Sequence, residues 1–210
     1  MIAIIDYEAG NLTSVERAIR SLGRDCVVTA DPDVIRSAER VIFPGVGQAG
    51  SAMESLARVG LADVIREVYQ AGKPFFGICL GTQIILELSQ EHDTPCLGLL
   101  EGKATLFPAG MVEEETGSAL KIPHMGWNRI EIMKSHPVLE GIEAEDEFYF
   151  VHSYYPEPAL NDHVLAQSTY GITFPVMLEH KNLVSAQFHP EKSGKAGLRI
   201  LDNFCRWQPC

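Results

Sequence analysis

The 210-residue chain is 46% hydrophobic and carries a formal net charge of −11, from 17 basic and 28 acidic residues with seven histidines taken as neutral. This composition suits a single α/β domain over residues 1–210 with a core of ordinary size, and the negative balance disfavours nonspecific binding to nucleic acid or anionic membrane. There is no apolar run of the roughly 18 residues a membrane span needs and no basic leader, and five cysteines without C-x-x-C spacing suit free thiols in a reducing cytoplasm, with no metal or cofactor expected.

In chain order, residues 2–7 read as a first strand. A helix follows from an Asn11 or Thr13 cap through Val15, Ile19 and Leu22 to a stop at Gly23. Strands are expected near Cys26–Thr29 and 40–43, helices over 51–58 and 61–71, and a strand leading into Cys79 with a helix carried on by Ile84, Ile85 and Leu88. Such alternation predicts an α/β, doubly wound and mostly parallel central sheet flanked by helices, with the site at the carboxyl ends of its strands. Residues 97–190 read as strands and turns, at 103–107, 127–132, 147–154, Val164–Tyr170 and 183–188, and a helix over 196–204 closes the domain. The acidic run Glu113-Glu114-Glu115 reads as a solvated loop or strand edge.

Cys79 stands out, set in Gly77-Ile78-Cys79-Leu80-Gly81-Thr82-Gln83 at the join of strand and helix. A nucleophile on such a sharp turn needs small neighbours, because strand and helix close in on both sides. The helix N-terminus beyond it offers backbone N–H groups that favour a thiolate. A buried cysteine is also an ordinary small hydrophobe, so the local sequence leaves both readings open. Cys26, Cys96, Cys205 and Cys210 lack the double-glycine setting and read as structural or incidental.

A thiol nucleophile needs a base, and His189-Pro190-Glu191 closes the strand-like stretch 183–188. In extended backbone residues two apart face one side, which predicts that Glu191 orients His189 while His189 deprotonates Cys79. His-x-Glu alone is a common pattern, and a histidine at a strand end is equally a surface group. Pro44-Gly45-Val46-Gly47 follows the strand at 40–43 and can aim backbone N–H groups at an oxyanion together with Leu80. Gly45 to Gly50 also has the spacing G-x-G-x-x-G. The dinucleotide reading of it expects an acidic residue closing a second strand about 20 residues on, whereas 61–70 is helical in pattern with Asp63 and Glu67 on its polar side.

Pro44-Gly45-Val46-Gly47, residues 77–83 and Gln187-Phe188-His189-Pro190-Glu191, in that order along the chain, resemble the triad-type glutamine amidotransferases. Asp6-Tyr7-Glu8-Ala9-Gly10-Asn11, Pro123-His124-Met125-Gly126-Trp127-Asn128 and Tyr149-Phe150-Val151-His152-Ser153-Tyr154 narrow the resemblance to the glutaminase subunits of imidazole glycerol phosphate synthase. It implies a flavodoxin-like, class I glutamine amidotransferase fold. It also implies a Cys79, His189 and Glu191 triad hydrolysing glutamine through a thioester, Val46 and Leu80 as oxyanion donors, and glutamine held by Gly47, Gln83, Glu91, Ser153 and Tyr154. The implied partner is a β/α-barrel cyclase subunit in a heterodimer, met by Asn11, Pro123, Trp127 and Lys192 and supplied with ammonia. Glu91 also reads as a solvated helix-end carboxylate, Trp127 as core and Lys192 as a surface cation; His152 reads as structural. Two positions depart from the family pattern: Glu8 stands for glycine and Thr82 for methionine. A stand-alone cysteine hydrolase of γ-glutamyl or peptide substrates would keep the triad without a use for the segment at 123–128. A non-catalytic binding subunit would have no use for the triad.

Overall fold

The computed structural model describes residues 1–113 and 116–209; the acidic run expected to be solvated falls partly on Glu114 and Glu115, and these, with Cys210, lie outside the described residues. The chain runs β1 (Ile2–Ile5), α1 (Leu12–Ser21), β2 (Cys26–Thr29), α2 (Pro32–Ser37), β3 (Arg40–Gly45), α3 (Ala49–Arg58), α4 (Leu61–Gln70), β4 (Phe75–Cys79) and α5 (Leu80–Ile84). There follow β5 (Leu88–Ser89), β6 (Thr94–Pro95), β7 (Gly102–Leu106), β8 (His124–Arg129), β9 (Glu131–Ile132), β10 (Glu147–His152), β11 (Tyr154–Pro158), β12 (Val164–Tyr170), β13 (Ile172–His180), β14 (Leu183–Ala186) and α6 (Gly194–Arg206).

The main sheet has the order β2-β1-β3-β4-β14-β13-β12-β9. Its first five strands are parallel, in the flavodoxin-like order, and β13, β12 and β9 extend it antiparallel. Alternation along the parallel strands sends side chains to two apolar layers. Ile2, Ile4, Ile42, Phe76 and Ile78 pack with Val15 and Ile19 of α1 and Ile200 and Phe204 of α6. Ala3, Ile5, Val41, Phe43 and Phe75 pack with α2, α3 and α4 through Ile35, Leu56 and Ile65. Both faces are therefore covered, and the free rim is the carboxyl end, where Cys79 sits. No helix among the described residues is long and apolar enough to cross a membrane.

Several elements differ from expectation for identifiable reasons. The helix after Cys79 stops at Ile84 instead of reaching Leu88. Leu97 N–H takes the Ile84 carbonyl at 2.9 Å and Leu99 N–H the Ile85 carbonyl at 2.8 Å, so the acceptors of a further helical turn are already used. Glu91 accordingly lies in a 3-10 turn, Glu91–Asp93, not at a helix end. Asn11 occupies the position before α1 with φ 72 and makes no side-chain cap. Helix α2 was not expected, although Asp31 caps it through the N–H groups of Asp33 and Val34 with Pro32 in its first turn. β13 was not expected either: Pro175 interrupts its pattern, and the sheet accommodates it opposite Gln167, beside register shifts in β12.

Candidate active site

Cys79 joins β4 to α5 with φ 53 and ψ −107, a conformation few non-glycine residues adopt. The flanking glycines make this possible by close approach. A Cβ on Gly81 would stand 2.0 Å from the Phe43 carbonyl oxygen, and one on Gly77 would stand 3.1 Å from the Ser185 Cβ. Thr82, in place of the family's methionine, is buried, and its hydroxyl donates to the Ala186 carbonyl at 2.7 Å and the Gly77 carbonyl at 3.3 Å. It thereby ties α5 to β4 and β14. Because α5 is only five residues long, its dipole is a smaller aid to the thiolate than the sequence suggested.

His189 and Glu191 meet, but not through extended backbone. His189 precedes a 3-10 turn, Pro190–Lys192, that folds Glu191 back, and the imidazole Nδ1 lies 2.8 Å from Glu191 Oε1 with both side chains essentially inaccessible. A carboxylate at Nδ1 places the proton there and leaves Nε2 as the basic nitrogen. Nε2 is buried and makes no hydrogen bond of good geometry, yet the Cys79 thiol is near enough to bear on its ionisation. Burial, the largest influence, disfavours the imidazolium, while the Cys79 sulfur as thiolate and the Glu191 carboxylate together outweigh it and raise His189 to about 9.

Ten of the predicted residues share one cleft of about 310 Å³: Val46, Gly47, Cys79, Leu80, Gln83, Glu91, Pro123, Ser153, Tyr154 and His189, joined by Val151 and His152. Glu191 stands behind His189, outside the lining. Glu91 accepts the Ala49 N–H at 2.6 Å, which fastens the start of α3 just beyond the loop at 44–47 and leaves its other carboxylate oxygen without a partner among the described residues. Gln83 Nε2 donates to the Tyr154 carbonyl and to Gln187 Oε1, each at 3.0 Å.

On the outer side, Trp127 is 54% and Met125 62% exposed, with Pro123 and Lys192 also exposed, so Trp127 is not core. Asn11 turns its side chain inward instead, and Nδ2 donates to Glu191 Oε1 at 2.6 Å. Glu8 adopts φ 69, the backbone region a glycine would favour, and pairs through its carboxylate with Arg58. His152 is buried and structural: it bonds the Tyr154 carbonyl and His124, and burial lowers it to about 3.

Three contacts escaped the sequence reading. The sequence points Asn11 to a partner surface and carries no sign of its bond to Glu191. Gln187 Nε2 lies 3.7 Å from Cys79 Sγ; its position two residues before His189, hence on the same strand side, was the available signal. Tyr7 is buried with its hydroxyl unpartnered among the described residues, where a Cβ on Gly45 would come within 2.2 Å. Burial first, and Cys79 second, push its ionisation well above the usual range.

The family model for class-I glutamine amidotransferases matches residues 3–207. The chain belongs to that family. Among its relatives it is 53% identical over 207 residues to the imidazole glycerol phosphate synthase subunit HisH of Nitratidesulfovibrio vulgaris (strain DP4), covering 99% of this chain and 96% of the relative. It is 46% identical over 210 residues to the subunit of the same name from Aromatoleum aromaticum (strain DSM 19018 / LMG 30748 / EbN1), covering 99% of each. This member of the family therefore sits among the HisH subunits. Its fold is shared with a solved glutamine amidotransferase at TM-score 0.71 and 20% identity, covering 98% of this chain and 97% of that one. It is also shared with PurLQS from Thermotoga maritima at TM-score 0.72 and 16% identity, covering 98% and 97%.

Proposed function

We propose that this chain is the glutaminase subunit of imidazole glycerol phosphate synthase, one domain over residues 1–210 that hydrolyses glutamine to glutamate and ammonia in the cytoplasm. The observation that carries the reading is the buried Cys79, His189 and Glu191 constellation at the head of a cleft, in a chain 53% identical to a HisH subunit.

In the reaction, His189 Nε2 holds the proton taken from the Cys79 thiol, and the Cys79 sulfur attacks the glutamine side-chain amide carbon. The charge that builds on the carbonyl oxygen is met by the backbone N–H groups of Val46 and Leu80. His189 then gives its proton to the departing ammonia, leaving a thioester that water hydrolyses with His189 again as base. Gly47, Gln83, Glu91, Ser153 and Tyr154 hold the substrate, and Glu191, braced by Asn11, keeps the imidazole in the required tautomer.

The ammonia serves a β/α-barrel cyclase subunit, which uses it to make imidazole glycerol phosphate and AICAR in histidine biosynthesis. Exposed Pro123, which lines the cleft, together with exposed Met125, Trp127 and Lys192, supports a partner-facing surface. Exposure to a glutamine-analogue electrophile should label Cys79, and Cys79→Ala should abolish glutaminase activity; activity surviving that substitution would overturn the mechanism. Glutamine hydrolysis should rise when the cyclase and its nucleotide substrate are added, and equal rates with and without them would remove the partner assignment.

A further inference from the structure

Beyond β14 the chain stays extended through Gln187, whose N–H donates to the Val176 carbonyl at 2.8 Å. Its side chain is fully buried, and Nε2 reaches the Cys79 sulfur at 3.7 Å. The orientation of that amide is fixed from behind. Gln83 Nε2 donates to Gln187 Oε1 and to the Tyr154 carbonyl, so the Gln187 oxygen is occupied and its nitrogen must face the sulfur. A backbone carbonyl only accepts, which anchors Gln83 and requires His152 to carry its proton on Nδ1, 2.8 Å from the same Tyr154 oxygen. His152 Nε2 is then an acceptor for His124 Nδ1–H at 3.1 Å, and His124 Nε2 an acceptor for Asn128 Nδ2 at 3.4 Å. Burial holds both imidazoles neutral. The donor and acceptor pattern is thus determined from Asn128 to the nucleophile.

We propose that Gln187 is a further catalytic residue of this site, a fixed neutral donor that stabilises the Cys79 thiolate before attack and again when it departs. In the first step, with the proton already on His189, a thiolate lone pair forms the S–C bond as the carbonyl π pair moves onto oxygen. In the last, the C–S bond breaks and its electron pair returns to sulfur, where the Gln187 N–H meets the restored charge. Gln83 acquires a defined polarity as well: with both Nε2 protons engaged, only its Oε1 is left to face the cleft, an acceptor suited to substrate N–H groups. The other titratable groups bearing on the sulfur are His189 and Tyr7, with Glu91 and His152 in the same cleft.

The proposal rests on Cys79 being the glutaminase nucleophile, and the test separates the two. Iodoacetamide alkylation is followed against pH, with the modified residue mapped. Labelling of the wild type anywhere but Cys79 would remove the nucleophile assignment itself. In Gln187→Leu the midpoint for Cys79 alkylation should rise by about one pH unit, about 1.4 kcal/mol, and kcat for glutamine should fall about tenfold. Gln187→Glu, which keeps the shape and brings a negative charge to the sulfur, should raise the midpoint further. A folded Gln187→Leu with an unchanged midpoint and unchanged kcat would overturn the proposal. Should the variants not fold, the wild type decides: the 15N-labelled Gln187 side-chain amide should titrate with the Cys79 midpoint and lose that transition in Cys79→Ala, and an amide blind to Cys79 would refute the role.

Discussion

The neutral histidine pair behind the cleft makes stability depend on pH in a definite direction. Burial lowers His124 from 6.5 to about 4 and His152 from 6.5 to about 3. Both folded values lie below the unfolded one, so their contribution is intact above pH 6.5 and is lost as the pH falls toward 4 and 3. At pH 5 each imidazole is protonated in the unfolded chain and neutral in the folded one, a penalty of about 2 kcal/mol per group, or about 4 kcal/mol for the pair. His136 and His180 are lowered too, mainly by burial, and act in the same sense. For a chain of this size, each kcal/mol corresponds to about 2–4 °C, so the pair taken alone lowers the melting temperature by roughly 8–16 °C between pH 7.5 and pH 5. His189 opposes part of this loss, because its raised value adds about 1 kcal/mol of stability as the pH falls from 7.5 to 5, and the comparison with a variant of the pair isolates their share. The assay is thermal unfolding across that range for the wild type and His152→Gln. The glutamine can donate to the Tyr154 carbonyl and accept from His124 without titrating, so it should remove about half of the pair's acid loss. A melting temperature that is flat from pH 7.5 to 5, or a His152→Gln slope equal to wild type, would refute the reasoning.

Gly81→Ala would put a Cβ 2.0 Å from the Phe43 carbonyl oxygen, so urea denaturation should show a loss of about 3 kcal/mol or more. Thr82→Val keeps the shape but leaves the Ala186 and Gly77 carbonyls without this donor, and should cost about 1–3 kcal/mol in the same measurement. On the alkaline side the sign reverses. His189 is raised to about 9, so its stabilisation is full below pH 6.5 and declines as the pH climbs through 9; Glu191→Gln should flatten that decline in denaturant titrations at pH 6.5, 8 and 9.5.

The parts of the site that the sequence disclosed are those held by local constraints. Cys79 between two glycines announces a turn where side chains collide, and His189 with Glu191 is a pair two residues apart. Even there the agreement was partly fortuitous, because a 3-10 turn and not extended backbone brings Glu191 back to the imidazole. What escaped depends on contacts between distant segments. Asn11 resembles a helix cap, yet its amide crosses to a residue 180 positions away. Residues 97–100 terminate α5 by occupying its carbonyls, and no local propensity records that. β13 contains a proline that ordinarily marks the end of a sheet, and only the register shift in its neighbour accommodates it.

The proposed nucleophile and the proposed oxyanion loop are built to opposite standards. Cys79 is 6% exposed, whereas Val46 is 37% exposed and Gly47 and Gln48 beside it are also exposed. A cysteine at φ 53, ψ −107 stores about 1–3 kcal/mol and persists only where its surroundings over-determine it; the Phe43 carbonyl under Gly81 and the two Thr82 hydrogen bonds supply that constraint. Gly47 has φ +99, and a Cβ there would meet nothing within 4 Å. Gly47→Ala therefore strains the backbone alone, and an exposed loop can relax that strain by re-aiming the neighbouring Val46 N–H. The melting temperature should change little while kcat for glutamine falls about 10²–10³-fold, the usual effect of losing one oxyanion donor. Steady-state kinetics beside a thermal melt decides the matter: a Gly47→Ala protein as destabilised as Gly81→Ala, with unimpaired kcat, would show that the loop is a structural brace and that the oxyanion is stabilised elsewhere.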